Sequence, residues 1–591
     1  MEELEKSNKW DSRNPNQRLE DLAELRELLK ENEYIVKYPT GSPPENVEGD
    51  SWVTFQAPGR FNAEPSGVVW MLKEVDVPDY GPGWSAVITL ESVVFGCRLF
   101  VNGQECGSGL GGYSPLVFDV TKALRQGRNQ IALGLVSLKR YPEFLRTGIA
   151  HNGGGLYNAD HDPSRSPWPS PTTMGTAVGL WQRAQLEIVP CPAYVVSVFA
   201  KPSVRTEQLV AEVEVRNPSD TLFEGYVAIR PQEVDGSPVL DRSSGLRTWL
   251  RRTLQWPAQA IAVPPGQTVV LALTNAWKNP RLWWPHDPHR YHLTVELQER
   301  TSGRTDTITE SFGFREIHIE GTTLMLNGQR LIMRGGSFTR YQMVLTSEEE
   351  ARTFMDRIVT GLNANAIRTH VDAPEAYFMQ AADKAGVLLL VQPPYAAGAS
   401  AIGEPEVWNA LDEMYLRYIK RMRNHPSIAI WSTDNEAGGQ NPANAVPAAP
   451  FLAAMTDKIR AVDGTRPVTS THNFYLLGKS DFFDTGVGQP FSADNCAPRH
   501  LRHWQIYYFD AKEIYRNDKP WIGDEWGEDH NPAMGSCWYG DQTYRFPDVE
   551  RGDVRSFATR FPQAHDVYLG MIEFRRWPQM AVRESTDFRD A

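Results

Sequence analysis

The rhythm of the chain changes at about Phe314, and that change limits the fold more than any other feature. Before it, short alternating apolar–polar runs are separated by Gly, Pro and Asn turns; after it, apolar runs of strand length alternate with helical stretches. Alternation with period two marks half-buried strands, whereas apolar recurrence at three and four residues marks helices with one packed face. Repeated strand–helix units predict a parallel sheet with right-handed crossovers, and many in series suit a (β/α)8 TIM-type barrel of about 250 residues. Residues 314–591 have that order and roughly that length.

Within this region QRLIMRGG reads as a strand, and SEEEARTFMDRIVTGL as a helix opening at a Ser cap. NANAIRTHV, VLLLVQPP, SIAIWS, RPVTSTHNF, DFFDTGVG and KPWIGDEWG follow as strands. APEAYFMQAADKAG, LDEMYLRYIKRMRNH, FLAAMTDKIRAVDG and the stretch around RHWQIYYFDAKEIYRN are the helices between them. The eighth strand is not found. FPQAHDVYLGMIEFRRW reads as the seventh helix, and the tail MAVRESTDFRDA has no apolar run. Either the barrel closes unusually or the sequence is a fragment, because an opening after seven strands would expose backbone edges.

Upstream, beyond a leader, the expectations are β. Residues 1–49 form a polar leader with a short helix at 18–31 and a Pro/Gly-rich linker. Residues 50–190 suit a jelly-roll sandwich, with Asn102-Gly103 marking a hairpin because both accept positive φ. A long loop at 153–171 contains His161 and Asp162, either a solvated loop or a reach to the barrel mouth or a cation. Residues 191–313 hold strands spaced as in an immunoglobulin-like β-sandwich, without the disulfide common there, since only Cys191 lies in this stretch.

Charge and cysteine content narrow the function. With 60 Lys+Arg against 73 Asp+Glu the formal charge is −13, which disfavours a nucleic-acid partner. No run approaches the ~18 apolar residues of a membrane helix, so no membrane partner is expected. The start MEELEKSNKW has no basic region leading into an apolar stretch, so a cytoplasmic protein is expected. Five cysteines without a CxxC pair or His cluster indicate neither zinc nor a disulfide framework, but buried free thiols. No cofactor and no metal is implied. A homo-oligomer is compatible with the sequence, which sets no state. The 18 Trp and 21 Tyr beside acids suit a carbohydrate partner, whose C–H faces stack on rings.

Catalytic groups of a barrel sit at the carboxyl ends of its strands. Two acids meet that test: Glu436, after SIAIWSTDN on the fourth strand, and Glu525, after PWIGD on the seventh. Paired carboxylates facing one pocket suit glycosidic cleavage, one protonating the leaving oxygen and the other meeting the oxocarbenium-like carbon. A separation of ~5–5.5 Å would make the reaction retaining.

At these residues the chain resembles glycoside hydrolase family 2, the family of β-galactosidases, β-glucuronidases and β-mannosidases. The likeness runs from about residue 50 to 535 through FVNGQECG, GGYSPLVFDVT, LWWPHDPHRYHLTVEL, FGFREI, LMLNGQRLIMRGG, RMRNHPSIAIWSTDNE, DGTRPVTSTHN and KPWIGDEWG. It implies a retaining exo-β-glycosidase acting on a terminal β-linked hexose or hexuronic acid. By motif, Glu436 corresponds to the acid/base and Glu525 to the nucleophile. Asn435 corresponds to the residue that binds the 2-hydroxyl, and Arg368 to the arginine that orients the nucleophile.

Several positions depart from the family pattern. Asp434 stands where many members have glycine; it would raise the Glu436 pKa, reshape the site or face solvent. His370 is a candidate sugar contact, although it lacks the usual tyrosine–proline continuation. His472 and Asn473 are candidate sugar contacts or structural residues, and Trp526 and Trp538 either stack on sugar or plug the core. The alternative function is a carbohydrate-binding protein without hydrolysis, suggested by the missing strand and the altered recognition residues.

Overall fold

The computed structural model describes residues 59–62, 68–78, 83–137, 177–180, 182–240, 253–338, 345, 347–361, 364–370, 372–393, 405–435, 442–471, 479–484, 519–526 and 567–570. The polar leader, the 153–171 loop and the helix expected around RHWQIYYFDAKEIYRN lie outside the described residues.

In the first β region a four-stranded antiparallel sheet orders Val69–Val77, Gly127–Val136, Gly96–Val101 and Gln104–Leu110. A three-stranded sheet of Ala184–Val189, Ser85–Leu90 and Leu116–Asp119 contributes Ile88, Leu90 and Phe118 to the same core as Leu99 and Leu135. Asn102 and Gly103 turn the expected hairpin with φ of 52° and 79°. The GGYSP segment serves a junction with the barrel. A Cβ on Gly111 would lie 2.1 Å from the Val93 carbonyl oxygen, so only glycine fits there. Tyr113 then meets Tyr418 edge-on at 5.8 Å.

The second β region stacks a three-stranded sheet (Tyr194–Ser203, Gln208–Arg216, Thr268–Ala276) on a four-stranded one (Gln259–Val263, Phe223–Glu233, Tyr291–Glu299, Thr305–Phe312). Leu209 and Val213 of the first share a core with Val227 and Val295 of the second. Trp277 fills its end, 4.8 Å from the Tyr291 ring and 5.3 Å from Phe314.

The barrel strands are β1 (Met333–Phe338), β2 (Ala366–Thr369), β3 (Leu388–Val391), β4 (Ile428–Asn435), β5 (Val468–Thr471), β6 (Phe483–Asp484), β7 (Trp521–Trp526) and β8 (Val567–Gly570). Four described helices connect the early strands: α1 (Glu348–Gly361), α2 (Ala376–Ala385), α3 (Pro405–Met422) and α4 (Pro442–Val462). The parallel sheet runs β5-β4-β3-β2-β1-β8-β7-β6, so its last described strand pairs with its first. At the β5/β6 seam Asp481 reaches across, its N–H on the Val468 carbonyl at 2.9 Å and its Oδ2 on the Val468 N–H at 2.8 Å.

Three expectations change. The eighth strand exists: Val567, Tyr568 and Leu569 pair with Met333, Arg334 and Gly335 of β1, inside the stretch read as the seventh helix. Four residues of β-branched, aromatic and aliphatic type inside a longer mixed segment cannot be told from helix by periodicity alone. Strands β4 and β7 are also longer than read, so Asp434, Asn435, Asp524 and Glu525 lie within strands and not beyond them. Helix α4 begins at Pro442 instead of Phe451. Proline at a first helical position loses no bond, and the Ala-rich run carries the helix past Pro447 and Pro450.

The amino-terminal end of the barrel is plugged. Met333, Ala366, Leu388, Leu390, Ala429 and Ile430 cluster with Trp283 and with Leu324 and Leu326 of a small hairpin. The sequence motifs RMRNHPS and DGTRP knit this end together. Arg466 donates to the carbonyls of Ile428 at 2.7 Å, Arg423 at 2.7 Å and His425 at 2.9 Å, and pairs with buried Asp463. Arg315 of FGFREI donates to Pro426 O at 2.9 Å and Ile428 O at 2.6 Å. Glu316 accepts from Val204 N at 2.8 Å, which fits the reading of that motif as a domain junction. These bonds tie the amino-terminal ends of the strands to the preceding β region.

Candidate active site

Strands β2, β3 and β4 end side by side, and each delivers a polar residue. Arg368 is fully buried in β2, and its Nη2 donates to the Asn435 Oδ1 at the end of β4. Gln392, directly after β3, donates from Nε2 to the same oxygen at 3.3 Å. Gln392 is itself held by Thr369, whose Oγ1 accepts the Gln392 N–H at 3.2 Å and donates to the Asp372 carbonyl at 2.9 Å. Two donors on the amide oxygen fix the orientation of Asn435. Its Nδ2 makes no hydrogen bond among the described residues.

Asp434 is 0% exposed, which removes the reading that it faces solvent. Its Oδ1 accepts from Ser470 Oγ at 2.6 Å and Thr433 Oγ1 at 2.8 Å. Tyr415 of α3 packs behind it and donates to the Val391 carbonyl at 3.1 Å. Burial, then nearby Tyr113 and then the Asp434 charge push the Tyr415 hydroxyl well above its ordinary range, so it stays a neutral donor.

Of the other sequence candidates, His370 follows β2 half-buried, its N–H on the Phe338 carbonyl at 2.8 Å. Glu525 and Trp526 are the last two residues of β7, with Trp526 in register with Gly570 of β8. Glu436 adjoins Asn435 but lies outside the described residues, as do His472, Asn473 and Trp538. Gln392 was missed by sequence reasoning although it carried the right signal, a polar residue at the exit of an apolar barrel strand.

No group of three His, Cys, Asp or Glu among the described residues is arranged to hold a metal. No described helix is long and apolar enough to cross a membrane. Cys97 and Cys191 are buried thiols, and burial pushes Cys191 up to about 11. A cavity of about 440 Å³ lies between the second β region and the carboxyl ends of α2 and α3, lined in part by Arg290, Glu310, Lys384 and Arg421. It sits at the barrel's plugged end, away from Asn435.

Two β regions followed by an eight-stranded parallel sheet, with Arg, Gln and Asn converging at its strand ends, define a multidomain protein of the barrel class. The comparisons agree. Residues 317–577 match the TIM barrel domain of Glycosyl hydrolases family 2, and residues 193–315 match a second segment described as Glycosyl hydrolases family 2. The chain belongs to glycoside hydrolase family 2.

Among curated relatives it is similar to Beta-galactosidase BgaC of Bifidobacterium adolescentis, 22% identical over 497 residues, covering 80% of this chain and 42% of that protein. It is also similar to a Beta-glucuronidase of Paenibacillus borealis, 22% identical over 434 residues, covering 68% of this chain and 63% of that protein. The chain thus spans less than two thirds of either relative. Among solved structures, a GH2 beta-galacturonidase from Eisenbergiella tayi bound to galacturonate superposes with TM-score 0.63 at 17% identity, covering 93% of this chain and 95% of that one. A putative beta-galactosidase from Bacteroides fragilis gives TM-score 0.64 at 16% identity, covering 88% and 74%. At such identities these likenesses concern the fold.

Proposed function

We propose that the chain is a retaining exo-β-glycosidase that hydrolyses a terminal β-linked hexose or hexuronic acid. The observation that carries this reading is the Asn435 amide, its oxygen held by Arg368 and Gln392 and its nitrogen left to donate. That is the arrangement needed to grip a sugar 2-hydroxyl, a contact that strengthens in the transition state. In this reading Glu525 of β7 attacks the anomeric carbon while Glu436 protonates the leaving oxygen. The resulting glycosyl–enzyme ester is then opened by water, with Glu436 acting as base. His370, His472, Asn473 and Trp526 supply further sugar contacts, and the two β regions act as a jelly-roll and an immunoglobulin-like support.

The relatives named above are described as acting on galactosides and glucuronides, which supports the substrate class without choosing within it. The alternative of a binding protein without hydrolysis rests on the missing barrel closure and the altered recognition residues; the pairing of β8 with β1 and β7 weighs against the first of these. The test is a panel of 4-nitrophenyl β-galactoside, glucuronide, galacturonide, mannoside, glucoside and glucosaminide. Release from one of these, lost in both Glu436→Gln and Glu525→Gln, is expected. Saturable sugar binding without release from any would favour the non-hydrolytic reading.

A further inference from the structure

We propose that Asp434 is a positioning residue: its buried carboxylate locks a bulge of β4 against Ser470 of β5, and the locked bulge aims the Asn435 amide at the sugar. The inference rests on the glycosidase reading above and concerns how that site is held. Ser432 pairs with Thr469 and Asn435 with Thr471, so Thr433 and Asp434 together oppose the single residue Ser470. One extra residue on one strand is a β-bulge, a device that bends the strand and redirects the side chains after it. Because side chains alternate along a strand, removing one residue of offset would send Asn435 to the other face, away from Arg368 and Gln392.

The bulge is fastened at side chain and backbone alike. The lone opposing residue, Ser470, donates to Asp434 Oδ1 at 2.6 Å, and Thr433 within the bulge donates to the same atom at 2.8 Å. Ser432 Oγ donates to the Asp434 carbonyl at 2.8 Å. Ser432, Thr433, Asp434 and Ser470 are all fully buried. A buried carboxylate is costly unless hydrogen-bonded, so these hydroxyls and the acid require one another. The backbone at Asp434 is not among the positive-φ positions, so it does not call for glycine. Glycine there would build the strand but could not grip Ser470. Asp434 thus ties the exit of β4 to its neighbour, one residue before Asn435 and two before Glu436.

The test uses the full chain, the 4-nitrophenyl β-glycoside it prefers, and the 2-deoxy analogue of that glycoside. Asp434→Ala and Ser470→Ala are each expected to lower kcat/KM on the parent roughly 10- to 100-fold, the scale of a lost hydrogen bond to a charged group. On the 2-deoxy substrate, which has no hydroxyl for Asn435 to hold, the loss should shrink to a few-fold. Asp434→Asn, which keeps an acceptor oxygen, should stay close to wild type on both. Equal losses on parent and 2-deoxy substrates would overturn the proposal, since a merely structural role weakens both alike. Wild-type chain that releases nitrophenol from no glycoside would instead overturn the glycosidase reading, and the role of Asp434 with it.

Discussion

The two ends of β4 solve opposite problems with similar residues. At its start the Ile428 carbonyl takes hydrogen bonds from Arg315 at 2.6 Å and Arg466 at 2.7 Å. Asp463 beside it accepts from Trp431 Nε1 at 2.8 Å and Thr465 N at 3.0 Å. At its finish Arg368 and Gln392 converge on one amide whose nitrogen has no partner among the described residues. Buried polar groups at the first end are consumed by the fold, whereas at the second one donor is unpaired among the described residues. The first end therefore serves stability, and the second is where the proposed function places a sugar contact, although each contains a fully or nearly fully buried arginine.

This contrast is open to direct attack. The largest effect is expected at the plugged end: Arg466→Met strands the Asp463 carboxylate, which should cost about 3–5 kcal/mol in denaturant unfolding. The kcat/KM of the molecules that remain folded should not change. Arg368→Met should reverse the pattern, with a roughly 10- to 100-fold fall in kcat/KM and a smaller loss of stability. If Arg466→Met damaged turnover as much as Arg368→Met, the division between the two ends would be lost.

Acid gives a third, smaller effect. Burial alone would raise the Asp463 pKa, but the Arg466 charge and the Thr465 and Trp431 hydrogen bonds outweigh it and hold the group below its ordinary value. A carboxylate depressed in the folded state contributes stability that is fully present above the unfolded value of about 3.9, and that is lost as pH falls through the lower folded value. Urea midpoints should therefore drop below about pH 4 more steeply in wild type than in Asp463→Asn. The smallest effect concerns the thiols of the first two regions. In the native chain half-buried Cys106 should react with a maleimide before buried Cys97 and Cys191, whose thiolates burial disfavours. Mass spectrometry of the labelled peptides would read that order.

Much of the barrel was legible because its signals are local. Ser347 caps α1 by accepting the Glu350 N–H at 3.2 Å, and Gly386 ends α2 in the left-handed region at φ 75°, both as the residue types suggest. Arg368 and Asn435 are legible through the resemblance of their motifs to the family, and both are buried at nearby strand ends. The Asp434–Ser470 bond was not legible, because a bulge is a property of register between two strands separated by a helix. The same limit hid β8, whose four residues acquire strand character from β1 and β7 on either side. Gly335 shows how tight that setting is, since a Cβ there would sit 1.7 Å from the Ala366 carbonyl oxygen.

The central claim is that the strand ends of this barrel perform a two-step displacement with Glu525 as the attacking group. The most direct measurement is intact and peptide mass spectrometry after incubation with an activated 2-deoxy-2-fluoro β-glycoside of the preferred sugar, whose fluorine slows release of a glycosyl–enzyme. One adduct per chain, on the peptide containing Glu525 and absent from Glu525→Gln, is the predicted result. An adduct on another carboxylate, or steady turnover of the parent glycoside with no adduct at all, would contradict it.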